Sequence, residues 1–132
     1  MREYLFRGKR LDNGEWGQGA LVYDDRDKLY RIITEINYSY KAPRVDASTV
    51  GQYTGMVDKN GTKIFEGDIC SFCNRSDVDN YGVVVYDADE TEFGIDYGST
   101  YLGLGRHYHS RDIEVIGNIY DNLELVGGEE NA

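Results

Sequence analysis

Proline is nearly absent from this chain: of 132 residues only Pro43 is one, against 16 glycines. Chain reversals therefore fall to glycine and to short polar turns, which suits strands better than long helices. No window shows convincing helical periodicity, and no internal repeat or low-complexity block stands out. Cysteine is confined to Cys70 and Cys73. They are too close in sequence for a useful disulfide staple, and a reducing cytoplasm is the expected setting. No apolar run is long enough to cross a bilayer. The first ten residues lack the apolar core and small-residue cleavage site of a signal peptide, so no membrane association is expected. Positive charge is scarce as well: 14 Lys and Arg face 24 Asp and Glu, a net charge of -10 and a pI near 4.5. Such a chain repels nucleic acid at long range and can attract a basic partner protein.

What is abundant is tyrosine, 12 residues against 1 Trp and 4 Phe. Apolar residues make up 40% of the chain, enough for a packed core in one compact domain or a domain with a small appendage. Tyr4 to Arg7 reads as a strand, and Asn13-Gly14 as a type I′ hairpin turn with Trp16 anchoring the return. Asp24 to Asp27 is a polar turn. From Leu29 to Tyr40 the chain alternates, with Tyr30, Ile32, Thr34, Ile36, Tyr38 and Tyr40 on one face. A long strand aromatic on one side is a candidate oligomer face, carried by Tyr30, Ile32, Ile36, Tyr38 and Tyr40. Pro43 ends that strand, and Asp46 is placed to cap one helical turn.

The stretch Val50 to Cys73 places the turn Asn60-Gly61 between two apolar arms and ends in Phe65-Glu66-Gly67-Asp68-Ile69-Cys70. There Gly67 and Asp68 bend the chain into a core strand. Tyr81 to Tyr86 is apolar on both faces and reads as a central strand. Thr91 to Tyr97 alternates and reads as its partner, and a Gly- and Tyr-rich loop then leads to the strand Ile113 to Ile116.

Val50-Gly-Gln-Tyr-Thr-Gly55, Asp58-Lys-Asn-Gly61, Ile64-Phe-Glu-Gly-Asp-Ile69, Tyr81-Gly-Val-Val-Val-Tyr86 and Glu114-Val-Ile-Gly-Asn-Ile-Tyr120, with Phe6-Arg7 before them, resemble the YopX family of phage and prophage proteins. The resemblance implies a C-terminal SH3-type small β-barrel and an accessory role in a mobile genetic element. It carries no catalytic residue set.

The residues offer several chemical readings, each beside an ordinary one. Cys70 and Cys73 form Cys-x-x-Cys, but on a strand an odd spacing sends the two side chains to opposite faces, and Cys70 reads as core. His107 and His109 share a face if extended, and Asp112, Glu114 or Cys73 could complete a metal set; solvated loop histidines are the commoner outcome. Arg106, His107, His109 and Arg111 form the densest basic patch, interleaved with Tyr97, Tyr101 and Tyr108. That pattern suits phosphates and bases, unless the arginines pair with nearby carboxylates. Arg7, Lys9 and Arg10 form a weaker patch. Asp87, Asp89 and Glu90 fit an exposed turn. The glycines of Gly98 to Gly105 lack the Lys-Ser or Lys-Thr of a P-loop.

The expectation is a mainly β chain with little helix: an N-terminal β-rich subdomain over residues 1–45, a YopX-like barrel over 46–126 and a tail over 127–132. It is read as a non-enzymatic interaction module without metal or cofactor. Its partner would be a host or phage protein, or a second copy. Nucleic-acid binding through the Arg106 to Arg111 loop is the alternative.

Overall fold

The computed structural model describes residues 3–34, 41–73, 79–97, 101–106 and 108–127. Among them are eleven β-strands, three short 3-10 turns and no α-helix. The chain forms two compact units, Met1–Tyr53 and Thr54–Ala132. Ile36, Tyr38, Tyr40, His107, residues 74–78 and the residues beyond Gly127 lie outside the described residues.

The first unit holds β1 (Phe6–Lys9), β2 (Trp16–Asp24), β3 (Leu29–Ile33), β4 (Arg44–Val45) and the start of β5 (Gly51–Val57). Their hydrogen-bonded order is β4-β3-β2-β1-β5, all antiparallel. Ile32 and Val45 are buried at its centre. Gly8 lies against them, and a Cβ there would sit 3.1 Å from that of Val45. Gly19 admits the backbone of β3, for a Cβ at that position would fall 1.8 Å from the carbonyl oxygen of Ile33. Asp46 caps the turn Ala47–Thr49 as expected, accepting the Ser48 N–H at 3.0 Å.

The Asn13-Gly14 turn differs from the sequence reading. A type I′ turn needs positive φ at both central residues, and here Gly14 has φ 72 while Asn13 does not share it. The loop is longer: the Arg10 N–H donates to Glu15, and the Gly14 N–H donates back to Arg10. Asn13 instead accepts the Glu15 N–H through its side chain, at 2.9 Å. The described part of the expected 29–40 strand ends as β3 at Ile33.

The second unit opens with the rest of β5, hairpinned to β6 (Lys63–Phe65). Asn60-Gly61 supplies the turn: the Gly61 N–H donates to Asp58, and Gly61 takes φ 82. Then follow β7 (Asp68–Cys73), β8 (Asp79–Asp87), β9 (Glu92–Asp96), β10 (Tyr101–Gly103) and β11 (Ile113–Asn118). They form one antiparallel sheet in the order β10-β9-β8-β7-β11. Among the described residues the edge strands β10 and β11 do not pair, so the sheet is not a closed barrel. Ile64, Cys70, Phe72, Val84, Ile95, Tyr108 and Ile113 pack into its core. Burying an aliphatic or aromatic side chain of this size stabilises the fold by about 1.5–3 kcal/mol. Gly67 makes the bend expected of it, with φ 87, and the buried Asp68 carboxylate accepts the Phe65 N–H at 2.8 Å.

Candidate functional site

β9 and β10 place Gly94 directly opposite Gly103, and the missing side chains leave a flat floor. The Tyr101 ring lies across Gly94, and the Glu92 carboxylate lies over Gly103. An aromatic laid over a strand glycine restores the packing that the glycine lacks. The Tyr101 hydroxyl donates to Glu92 at 3.2 Å. Arg106 reaches the same carboxylate through Nε at 3.2 Å and Nη2 at 2.6 Å, a two-pronged ion pair. Burial, and then the neighbouring Glu92 charge, push the Tyr101 phenol up to about 12. Arg106 thus lies against a carboxylate of its own chain, as one of the two sequence readings held.

The other candidate residues take separate roles. Tyr108 is buried against Phe72, with ring centroids 4.8 Å apart, and Tyr97 meets the same ring edge-on at 5.1 Å. Burial, and then Tyr97, raise the Tyr108 phenol to about 12. Both rings belong to the core cluster or pack against it. His109 is exposed, and its backbone N–H donates to the Asp112 carboxylate at 3.1 Å, closing the 3-10 turn Ser110–Asp112. Arg111 is 81% exposed, with Asp112 4.0 Å away. Of the residues considered as a further metal ligand, Asp112 is engaged in that turn and Glu114 lies 3.8 Å from Lys59. Cys70 is fully buried in the core, as its strand position implied.

The weaker basic patch is also absorbed. The Arg7 guanidinium stacks over Trp16 at 4.7 Å, and the Lys9 ammonium lies 5.6 Å from that ring. Arg10 holds Asp12 at 2.7 Å, and that contact keeps the Asp12 carboxyl below its usual range.

The exposed features are aromatic. Tyr23 on β2 stands directly opposite Tyr30 on β3. Their centroids are 5.1 Å apart, and both rings face solvent, Tyr23 at 51% and Tyr30 at 39%. Ile32 is wholly buried, so only Tyr30 of the described candidate oligomer residues is presented. Arg31 bridges Asp24 and Asp27 beside this pair. Its guanidinium, with backbone N–H groups of the turn, keeps the Asp24 carboxyl below its ordinary range.

Residues 5–127 match the family model described as YopX protein. The chain belongs to the YopX family. No curated protein matches it. Among solved structures it is similar to the crystal structure of protein EF1440 from Enterococcus faecalis, with a TM-score of 0.62 and 23% identity over 96% of this chain and 99% of that one. At that identity the likeness shows the fold alone. Three residues of this YopX-family chain escaped the sequence reading: Glu92, Asp58 and Tyr23. The sequence holds no signal for Glu92, because Gly94 and Gly103 face one another only once β10 pairs with β9.

Proposed function

We propose that this chain is a non-enzymatic protein-interaction module, an accessory protein of phage or prophage kind working in a bacterial host cytoplasm. The observation that carries the reading is the solvent-facing Tyr23–Tyr30 pair. Tyrosine offers rigid contact area with an apolar body and a polar tip, at low conformational cost. A host or phage protein, or a second copy of the chain, is the partner it suits. The net charge of -10 favours a basic partner through long-range steering. The second unit is read as an open member of the SH3-type small barrels. Its last strand, β11, returns beside its β7, the arrangement a five-stranded meander adopts before closure. The nucleic-acid alternative is the weaker one, since Arg106 is held by Glu92 and Tyr108 is buried.

The test is crosslinked capture from lysogenic cells, followed by reconstitution with the purified candidate. A complex that reforms from pure components, and that Tyr23→Ser with Tyr30→Ser weakens, supports the reading. If nothing reconstitutes and the chain sediments as a monomer at every concentration, the reading fails.

A further inference from the structure

We infer that the tip of the β8–β9 hairpin is a docking surface for an arginine-containing segment of a partner protein. The inference rests on the interaction-module reading and names one surface for it.

The two units share a hairpin design. In the first, Tyr23 pairs with Tyr30 and Asp24 with Leu29 around a four-residue loop. In the second, Tyr86 pairs with Phe93 and Asp87 with Glu92 around a loop of the same length. Each loop ends on a non-glycine residue with positive φ, Lys28 at 58 and Thr91 at 51. In each, the first Asp accepts a turn N–H two residues on, from Arg26 or from Asp89, at 3.0 Å.

Both hairpins also carry a buried face out past the core. Val84 and Ile95 are opposite one another and buried. Tyr86 and Phe93 are the next pair on that same face, because side chains alternate along a strand. Yet Tyr86 is 48% exposed, its ring meeting Phe93 edge-on at 5.3 Å. A face that is core at Val84 is solvent-facing two residues later.

Charge separates the two tips and selects the occupant. Residues 23–30 carry three acids and two bases, and the following Arg31 bridges two of the acids. Residues 86–93 carry Asp87, Asp89, Glu90 and Glu92 and no base. Arg106 engages Glu92 and its charge also acts on Glu90, while Asp89 and Glu90 stand exposed at the loop. An exposed ring on a tip whose four acids face one nearby base, Arg106, is the setting that a guanidinium satisfies: its plane stacks on the aromatic and its N–H fork reaches the oxygens. Lysine reaches the charge but cannot stack as a plane, so arginine is the better fit. The same negative charge disfavours a second copy of this chain at the tip.

The experiment uses the full chain and a Gly-Arg-Gly-Arg-Gly-Arg peptide amide, titrated by calorimetry and by amide NMR at physiological ionic strength. Shifts centred on Tyr86, Asp89 and Glu90 are expected. Tyr86→Ala, or Asp89→Asn with Glu90→Gln, should each weaken binding about tenfold. Tyr81→Ala, at an exposed tyrosine toward the other end of β8, should leave it unchanged, and the lysine analogue of the peptide should bind more weakly. Tyr86 is exposed, so an unchanged melting curve checks that its variant folds. Binding equal in Tyr86→Ala and wild type, or shifts spread evenly over acidic residues, overturns the inference. So does a captured partner that binds the Tyr86→Ala chain undiminished, and that result leaves the interaction module standing. Failure of capture together with a monomer at every concentration removes the module reading, whereas the peptide titration on pure chain does not depend on it.

Discussion

Replacing Asp58 by alanine removes the acceptor for three backbone N–H groups at once. Oδ1 accepts from Asn60 at 2.8 Å and from Thr62 at 2.9 Å, and Oδ2 accepts from Val115 at 2.9 Å. The carboxylate is 3% exposed. It shapes the β5–β6 turn with one oxygen and ties that turn to β11 with the other. Asn60 and Thr62 are exposed and can turn to water, whereas the Val115 N–H is half-buried and loses a charge-assisted bond. An unsatisfied buried donor costs about 1–3 kcal/mol, and loosening of the turn adds to it. The expected loss for Asp58→Ala is therefore about 2–4 kcal/mol, or roughly 10–25 °C of melting temperature for a domain this small.

Asp58→Asn is the sharper probe, since it keeps one oxygen but turns an NH2 toward a donor. Burial pushes the Asp58 carboxyl upward, but the N–H groups of Val115, Thr62 and Asn60 outweigh it and hold the group below its ordinary value. A depressed carboxylate contributes stability that is fully present above the unfolded value, about 3.9. That contribution fades as pH falls through the folded value. Urea unfolding across this acid range should show a shallower slope in Asp58→Asn than in wild type. Hydrogen exchange should show the Val115 amide losing protection in both variants. A loss below about 1 kcal/mol in Asp58→Ala, or identical acid slopes, would refute the reasoning.

Gly19→Ala should cost more than about 3 kcal/mol by urea unfolding, because its Cβ would meet the Ile33 carbonyl; a loss under about 1 kcal/mol would show that β2 and β3 do not approach so closely. In an ultraviolet titration Tyr101 and Tyr108 should ionise last, near 12. Their raised values favour the neutral folded form, so the stability they contribute is present below about 10 and declines toward 12; Tyr101→Phe and Tyr108→Phe should each delete one late step, and uniform titration near 10 would contradict the burial argument. Thr91 is β-branched at φ 51, so Thr91→Gly should raise stability by about 0.5–1 kcal/mol in thermal unfolding, whereas a fall would show the loop unstrained.

Local chemistry was readable along the chain, and distant pairing was not. Asp46 before a short turn, Asn60-Gly61, and the buried Cys70 all follow from neighbours within a few residues. In the sequence β10 reads as loop, because Gly103 and Gly105 mask a strand that exists only by pairing with β9. Glu92 and Arg106 are 14 residues apart, and Asp58 and Val115 are 57 apart. Periodicity carries no information about either. The twin hairpins share the entry Val-Tyr-Asp, at Val22 to Asp24 and Val85 to Asp87, and three residues are too few to mark a repeat. Tyr108 read as presented because a tyrosine between two histidines gives no sign that Phe72 lies behind it.

The position of β11 beside β7 has a consequence for how the polypeptide is made. Ile113 lines up with Phe72, so one edge of β7 awaits a partner encoded roughly forty residues later. On a ribosome adding about 5–20 residues each second, that edge stands open for roughly two to eight seconds. Neighbouring nascent chains present the same open edge and compete for it. Slow translation or crowded polysomes should therefore lower the yield of native protein, even where the finished molecule is stable.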